Sequence, residues 1–412
     1  MADIYIAGIG MTKFGRHPDF SYQELTRQAV DLALEDAGAS RQDIGQAVFS
    51  SCVIGFLQGQ DMIPGQIALR SMGFEGIPIF NVEGACASAS MAMHLAAQAI
   101  KAGSTDIALA VGTEKMNTSD KEKMFAAFDS AWDVSNVDAN RERLLKMGEG
   151  ITPPPNSQSK KPYSMFMDVY AGFCRQHMKT FGTTQRQIAA VAAKNHGHSV
   201  HNPLSQYRVP YTIDEVMAAP PITYPLTLPM CAPISDGSAA VVLCNAAGLK
   251  RLAGETRRAV RLLASVVRSG SSRDSADYRN HITALAARQA YEMAGVGPND
   301  IDVAEVHDAT AMGEIIQAEN LQLASFGEAG PAAERGEFTI GGRIPINTSG
   351  GLESKGHPIG ATGLGQVYEL VTQIRGEAGA RQVAGANMAI QENGGGIFGV
   401  EEATAVINIF GK

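Results

Sequence analysis

Two distant stretches of this chain align without a gap. TRQAVDLALEDAGASRQDI begins at Thr26, and TALAARQAYEMAGVGPNDI begins at Thr283. Ala29 falls on Ala286, Ala33 on Ala290, Glu35 on Glu292, Ala37-Gly38 on Ala294-Gly295 and Asp43-Ile44 on Asp300-Ile301. The alanines recur at helical spacing, and the glycine follows the last turn as a C-cap does. Each copy runs on into an apolar strand, QAVFSSCVI in one case and DVAEVHD in the other. Helix, glycine, short loop and strand make half of a βαβ unit.

Downstream the likeness continues. EGACASASMAMHLAAQAIKAG leads to DIALAVG, and KGHPIGATGLGQVYELVTQIRG leads to QVAGANMAI. In both, a turn of small residues opens an amphipathic helix that ends before a strand. The chain is therefore predicted to be two similar α/β halves, 1–250 and 251–412. Cys86 and His357 occupy comparable turns, one per half, and a pseudo-twofold packing would bring them together.

The first half is longer, with the excess at about 115–230. This stretch holds the loop ITPPPNSQSKKP and the helical runs SMFMDVYAGFCRQHMKTFG and TQRQIAAVAAKNHGHSV. Long insertions in compact domains are usually lids or binding loops. Met165, Met167 and Met178 are expected to line an adaptable apolar pocket there, or else to be ordinary core.

Of the 412 residues 45% are hydrophobic and 18% charged, enough for a large core. The net charge of −8 opposes a general nucleic-acid role. No apolar run approaches the roughly 20 residues of a membrane span. MADIYIAGIG reads as a first strand, not a signal peptide, and the terminal IFGK is no peroxisomal tripeptide. Five cysteines, odd in number, fit free thiols in a reducing compartment, so a cytoplasmic location is expected.

Three stretches carry chemistry. In NVEGACASAS, Cys86 is surrounded by residues with almost no side chain. That allows close helix packing, or gives a large substrate access to a thiol. EVHDAT holds His307, and NTSGGLESKGHPIGATG holds His357. With GGL, KGHP and GATG in this order, and QENGGGIFG closing the chain, the sequence resembles the thiolase superfamily, in its sterol-carrier-protein type, over its whole length.

The resemblance implies a five-layered α/β/α/β/α thiolase fold of two βαβαβαββ halves with an inserted loop region. It implies Cys86 as the nucleophile at a helix N-terminus, where the dipole lowers the thiol pKa. His357 would be its base. Backbone N–H groups of Cys86 and Gly395 would form the oxyanion hole, and His307 with His357 a second one. It implies acyl-CoA as substrate with no permanently bound cofactor or metal. It also implies a homodimer or larger assembly, and for some relatives a small OB-fold, zinc-ribbon partner.

One position departs from the family. Its HDCF cysteine, a second acid/base, is replaced here by Ala309, and QENGGG holds no cysteine either. An alanine cannot move a proton, and losing such a group costs about 10²–10⁴ in rate. Glu392 and Asn347 are the candidates for an auxiliary role. The expected activity is acyl transfer through a Cys86 thioester, forming a carbon–carbon bond or cleaving a 3-ketoacyl-CoA. The alternatives are retro-aldol cleavage of a steroid-like or branched β-hydroxyacyl-CoA, and a non-catalytic or partner-dependent acyl-CoA-binding subunit. Lys160-Lys161, Lys194 and Arg257-Arg258 are scattered candidates for the CoA phosphates. HGHSVH, from His196, lacks acidic or cysteine partners for zinc. Its histidines are expected to be solvated, or to contact acyl-CoA near Asn195-His196.

Overall fold

The computed structural model describes residues 3–412. Nine strands form its main sheet: β1 Tyr5–Met11, β2 Gln46–Ser50, β3 Ile79–Val82, β4 Ile107–Glu114, β5 Gly237–Cys244, β6 Val260–Ser269, β7 Val303–Glu305, β8 Met388–Phe398 and β9 Glu401–Gly411. The framing helices are α1 Tyr22–Ala37, α2 Ser88–Lys101, α3 Phe166–Phe181, α4 Gln185–Ser199, α5 Ile282–Ala294, α6 Ala311–Asn320 and α7 Thr362–Arg375.

The repeated segments form α1 and α5. Gly38 (φ 61°) and Gly295 (φ 70°) end them in the left-handed conformation that glycine adopts without strain. A capping box starts α1: Ser21 Oγ accepts from the Glu24 amide, and the Glu24 carboxylate accepts from the Ser21 amide at 2.7 Å. The alanine stripe has a packing reason. A Cβ on Gly8 of β1 would stand 2.2 Å from the Ala33 carbonyl, so helix and strand backbones meet with nothing between them.

The strands lie in the order β3-β2-β4-β5-β1-β6-β9-β8-β7. Within the first half β3, β2 and β4 run parallel and β5 is antiparallel to β4 and β1. The second half repeats this with β7 parallel to β8 and β9 antiparallel to β8 and β6. Its third strand is reduced to the single bridge Ala304↔Ile346. Two residue pairs, Tyr5↔Arg261 and Ile6↔Val260, join the halves into one sheet.

Buried side chains sort into the expected five layers. One core lies between α1 and the first half-sheet. A second fills the middle, where α2 and α7 are sandwiched between the half-sheets. A third packs α4, α5 and α6 on the second half-sheet. In the middle layer a Cβ on Gly363 would lie 2.1 Å from Ser90 Oγ, so α2 and α7 start side by side. The Gln391 amide fastens them, donating to Ser90 Oγ (2.9 Å) and to the Gly363 carbonyl (2.7 Å). This crossing carries Cys86 and His357 to one place.

The stretch at 115–230 contributes α3, α4, short helices at Lys121–Ala126 and Val137–Lys146, and the strand pair Pro221–Thr223 and Leu226–Thr227. Trp132 packs on Phe166 there, with ring centroids 5.0 Å apart. All five cysteines are free.

Candidate active site

Cys86 sits on a tight turn, Ala85–Ala87, that runs into α2. Ala85 is held at φ 49°, left-handed and costly for a residue with a Cβ. Ser88 keeps it there: its Oγ accepts from the Gly84 amide (2.8 Å) and donates to the Ala85 carbonyl (2.6 Å). The Glu83 carboxylate takes the Ala85 amide at 2.5 Å. A strained turn held from both sides fixes the direction in which the thiol points.

His357 arrives from the other half, on the turn between the short helix Gly351–Lys355 and α7. Its amide donates to Ser235 Oγ at 2.9 Å. Its Nδ1 lies 2.6 Å from Thr362 Oγ1, and that hydroxyl donates to the Pro358 carbonyl at 3.1 Å. With the threonine proton on that carbonyl, Nδ1 carries the imidazole proton and donates to Oγ1. Nε2 keeps its lone pair, the form a general base needs.

His307 follows β7, its ring centroid 5.3 Å from that of His357. Its Nε2 is buried without a hydrogen-bond partner among the described residues. One ligand-type atom each of Cys86, His307 and His357 lies within 4.8 Å of the others. Thiolate and imidazole are also donors that a soft divalent cation accepts. The alternative histidine cluster is committed elsewhere. His196 Nε2 meets the Pro229 carbonyl, and His198 spans the Asn347 carbonyl and the Ile340 amide. Both rings are buried, contrary to the solvated loop expected of HGHSVH.

Burial sets the protonation states. It depresses His307 to about 4 and His357 well below the ordinary 6.5, so both are neutral at pH 7. It also pushes the Cys86 thiol up to about 12, against the pull of backbone N–H groups of Cys86 and Gly396. The lowered thiol pKa expected from the helix dipole is therefore corrected. In the resting site desolvation outweighs the dipole, and thiol and imidazole face each other uncharged.

The expected oxyanion glycine, Gly395, lines the cavity beside Cys86 together with its neighbour Gly396, whose backbone N–H favours the thiolate. A Cβ on Gly395 would stand 2.2 Å from the Gly84 carbonyl and 2.6 Å from the Ala87 amide, so no side chain fits. Glu392 does not face the cavity: its Oε2 accepts the His307 amide at 2.8 Å, behind the ring. Asn347 is also behind it, accepting from the Val306 amide and donating to Glu314. Ala309 does line the cavity, and the thiol-bearing Cys231 lines it too, paired through a bridge with Thr310.

The cavity at the thiol has a volume of about 330 Å³. Of the three methionines proposed for it, only Met167 contributes. Met165 packs in the Trp132 cluster instead. The walls are mainly apolar, with Phe166, Tyr170 and Phe173 standing one above another on α3. This spacing of i, i+4, i+7 was readable in the sequence and marks the pocket face of that helix.

The basic candidates divide. Lys194 is buried on Glu314, and Arg258 is engaged by Asp36 and Glu377. Asn195 donates to Asp308 and Glu314 under the His307 turn. Lys160 and Lys161 are exposed, next in the chain to Pro162, Tyr163 and Ser164 on the cavity wall. Glu114 was missed from sequence. Its carboxylate takes the amides of Cys52, Val53 and Gly360 at 2.8–3.1 Å, tying the first half to the turn after His357. Burial raises its pKa to about 7 in spite of these donors.

A cysteine thiol from one half of a duplicated five-layered α/β fold, facing an imidazole from the other half, is the arrangement that the thiolase resemblance implies. Comparison with known families agrees. The "Thiolase, N-terminal domain" family matches residues 4–217, and the "Thiolase C-terminal domain-like" family matches 264–409. The chain belongs to the thiolase family. It is 36% identical to the acetyl-CoA acetyltransferase of Methanothermobacter thermautotrophicus over the full length of both. It is 38% identical to human sterol carrier protein 2, over 95% of this chain and 69% of that one. The solved structure of the Ltp2-ChsH2(DUF35) aldolase shares the fold, with TM-score 0.74 over 99% of this chain and 97% of that one, at 22% identity. Among the described residues no helix is long and apolar enough to cross a membrane.

Proposed function

We propose that this protein is an acyl-CoA-dependent acyltransferase that carries its acyl group on Cys86. The observation that carries the reading is the meeting of Cys86, His307 and His357, with His357 in the tautomer that can take the thiol proton. His357 Nε2 accepts the proton as sulfur attacks the thioester carbonyl. A carbon–sulfur bond forms to Cys86, the bond to CoA breaks, and the same proton leaves on the CoA thiol. Because both partners start uncharged, proton transfer accompanies attack and no preformed ion pair is needed. The N–H groups of Cys86 and Gly396 meet the carbonyl oxygen, and His307 Nε2 is free for the oxygen of the second substrate. Acyl transfer to carbon, or its thiolytic reverse, is the reaction class supported by the acetyltransferase relative.

Lys160 and Lys161, exposed beside the cavity wall, suit the CoA phosphates. Edge strand β3 leaves one side unpaired and exposes Phe80, with Phe56, Met62, Ile63 and Ile67 exposed on the preceding segments. This supports a homodimer, which sedimentation measures directly. A second, small OB-fold protein is part of the reading because the aldolase of like fold is named for a pair, Ltp2 with ChsH2(DUF35).

The test is intact-protein mass spectrometry after brief incubation with acetyl-CoA and longer acyl-CoAs. One added acyl group, absent from Cys86→Ala, supports the transferase. A protein that cleaves a β-hydroxyacyl-CoA yet never carries an adduct is instead a retro-aldol lyase.

A further inference from the structure

Most of the cavity beyond the sulfur is apolar, which makes its few polar atoms informative. Tyr170 reaches into it from α3, and its hydroxyl makes no hydrogen bond to another described residue. Glu402, on β9, lines it too. Burial raises the Tyr170 pKa, and the charges of Cys86 and Glu402 add to that, so the phenol stands within electrostatic reach of both.

Glu402 is held from behind. Gln317 Nε2 donates to its Oε1 at 2.8 Å. His281 Nε2 lies 3.3 Å from its Oε2, near but not aligned as a hydrogen bond. The proton on that ring can be placed. Nδ1 of His281 accepts from the Thr283 amide and faces the Asn320 amide nitrogen, each at 3.2 Å, so the proton is on Nε2, toward Glu402. Asn320 also donates to Gln317 Oε1 at 3.0 Å, closing a ring of four side chains that includes Glu402 itself. This scaffold holds one carboxyl at an apolar cavity wall, with Oε2 buried against His281. Keeping a carboxyl at such a wall is costly unless a polar group of a ligand meets it.

We propose that Tyr170 and Glu402 form a subsite for a hydroxyl group borne on a ring-sized apolar acyl chain. The walls select the body of such a group, since Phe125, Phe128, Phe166, Phe173, Ile316 and Ile397 surround it. The two polar groups select the hydroxyl. Burial raises the Glu402 pKa, which favours the protonated carboxyl over the anion. A hydroxyl donates to the anion and accepts from the acid, and it does the same with a phenol. A ketone could only accept, an ammonium could only donate, and a carboxylate would be repelled by the anion. No atom of this subsite takes part in bond making. Its role is specificity, and it rests on reading the cavity as the acyl pocket.

Trp132, the sole tryptophan, packs on the cavity-lining Phe166 and so reports occupancy by its fluorescence. The experiment uses the Cys86→Ala protein, so no chemistry intervenes. It compares 3-phenylpropanoyl-CoA with its meta- and para-hydroxylated analogues. At least one hydroxylated thioester is expected to bind about tenfold tighter than the parent. Tyr170→Phe should reduce that advantage and Glu402→Leu should abolish it, leaving parent binding within about twofold. Glu402→Gln, which keeps the shape and hydrogen-bonding capacity, should retain part of it, with thermal melting as the folding control. Equal binding of all three thioesters, an advantage that survives both Glu402→Leu and Tyr170→Phe, or no binding by any would overturn the proposal. Cys86 acylation in the wild type is read separately, so a failed transferase reading is not confused with a failed subsite.

Discussion

Thr362 Oγ1 lies 2.6 Å from Nδ1 of His357 and 3.1 Å from the Pro358 carbonyl. When the hydroxyl gives its proton to that carbonyl, Nδ1 is the donor and Nε2 the base. Thr362→Val keeps the shape and removes this control. Cys86 acylation should slow by about 10–100-fold with thioester binding little changed, because only the base is affected. Quenched-time mass spectrometry gives the rate and Trp132 fluorescence the binding. A variant that acylates at the wild-type rate would show that the tautomer is held by something else.

The uncharged resting pair has a pH signature. Burial depresses His357, so it remains a free base as pH falls through 6.5 and loses that role only at lower pH. Acylation should therefore show no histidine step between pH 8 and 6, the titration of Glu114 being the one change in that range. The thiol, raised to about 12, has little thiolate to offer in this range. Its alkylation by iodoacetamide should keep rising through pH 9, where a low-pKa cysteine would already have levelled off. A plateau of alkylation beginning near pH 6 would mean that the resting site is an ion pair.

Gly395 has no room for a methyl group, with the Gly84 carbonyl 2.2 Å and the Ala87 amide 2.6 Å from where a Cβ would sit. Gly395→Ala must push the closing loop off the cysteine turn and carry the Gly396 amide with it. The loss of one oxyanion donor typically costs about 10²–10³ in rate. The expected result is that loss in acylation, with the thioester still bound.

Glu114 ties loop 51–53 to the turn after His357 by accepting from three amides and the Ser51 hydroxyl. Glu114→Gln places an NH₂ among donors, so at least one of these bonds breaks. Acylation should fall about tenfold or more at pH 7.5. The variant should also lose the wild type's titration near pH 7, since burial places this carboxyl at about 7. Rates measured from pH 6 to 8.5 for both proteins decide the point.

The fold of two similar halves, and the three side chains that meet at the cavity, were legible because each rests on local pattern. Ala29 and Ala33 recur where a helix must touch a glycine strand, and Cys86, His307 and His357 each sit in a distinctive turn. The walls of the cavity were less legible. Met165 and Met178 were read as pocket residues from residue type alone, whereas Phe166, Tyr170 and Phe173 make the pocket by sharing one helix face. Glu392 was singled out for its closeness in sequence to the glycine loop, yet its side chain alternates to the far side and takes the His307 amide. Glu402, a few residues later on the returning strand, faces the cavity. Such choices are made by strand alternation and by α6 packing across from β9, neither of which a single sequence displays.

The two half-sheets meet through only two residue pairs, while α2 and α7 meet closely enough to exclude a Cβ. The connection from Cys244 to Val260, by contrast, contributes nothing to the cavity. Severed there, the chain would become two inert pieces, one holding a thiol with no base and the other a base with no thiol. Mixing them would be a chemical complementation, and recovered Cys86 acylation would count how many crossings of α2 and α7 had re-formed. Catalysis in this molecule is a property of the seam, and of neither half.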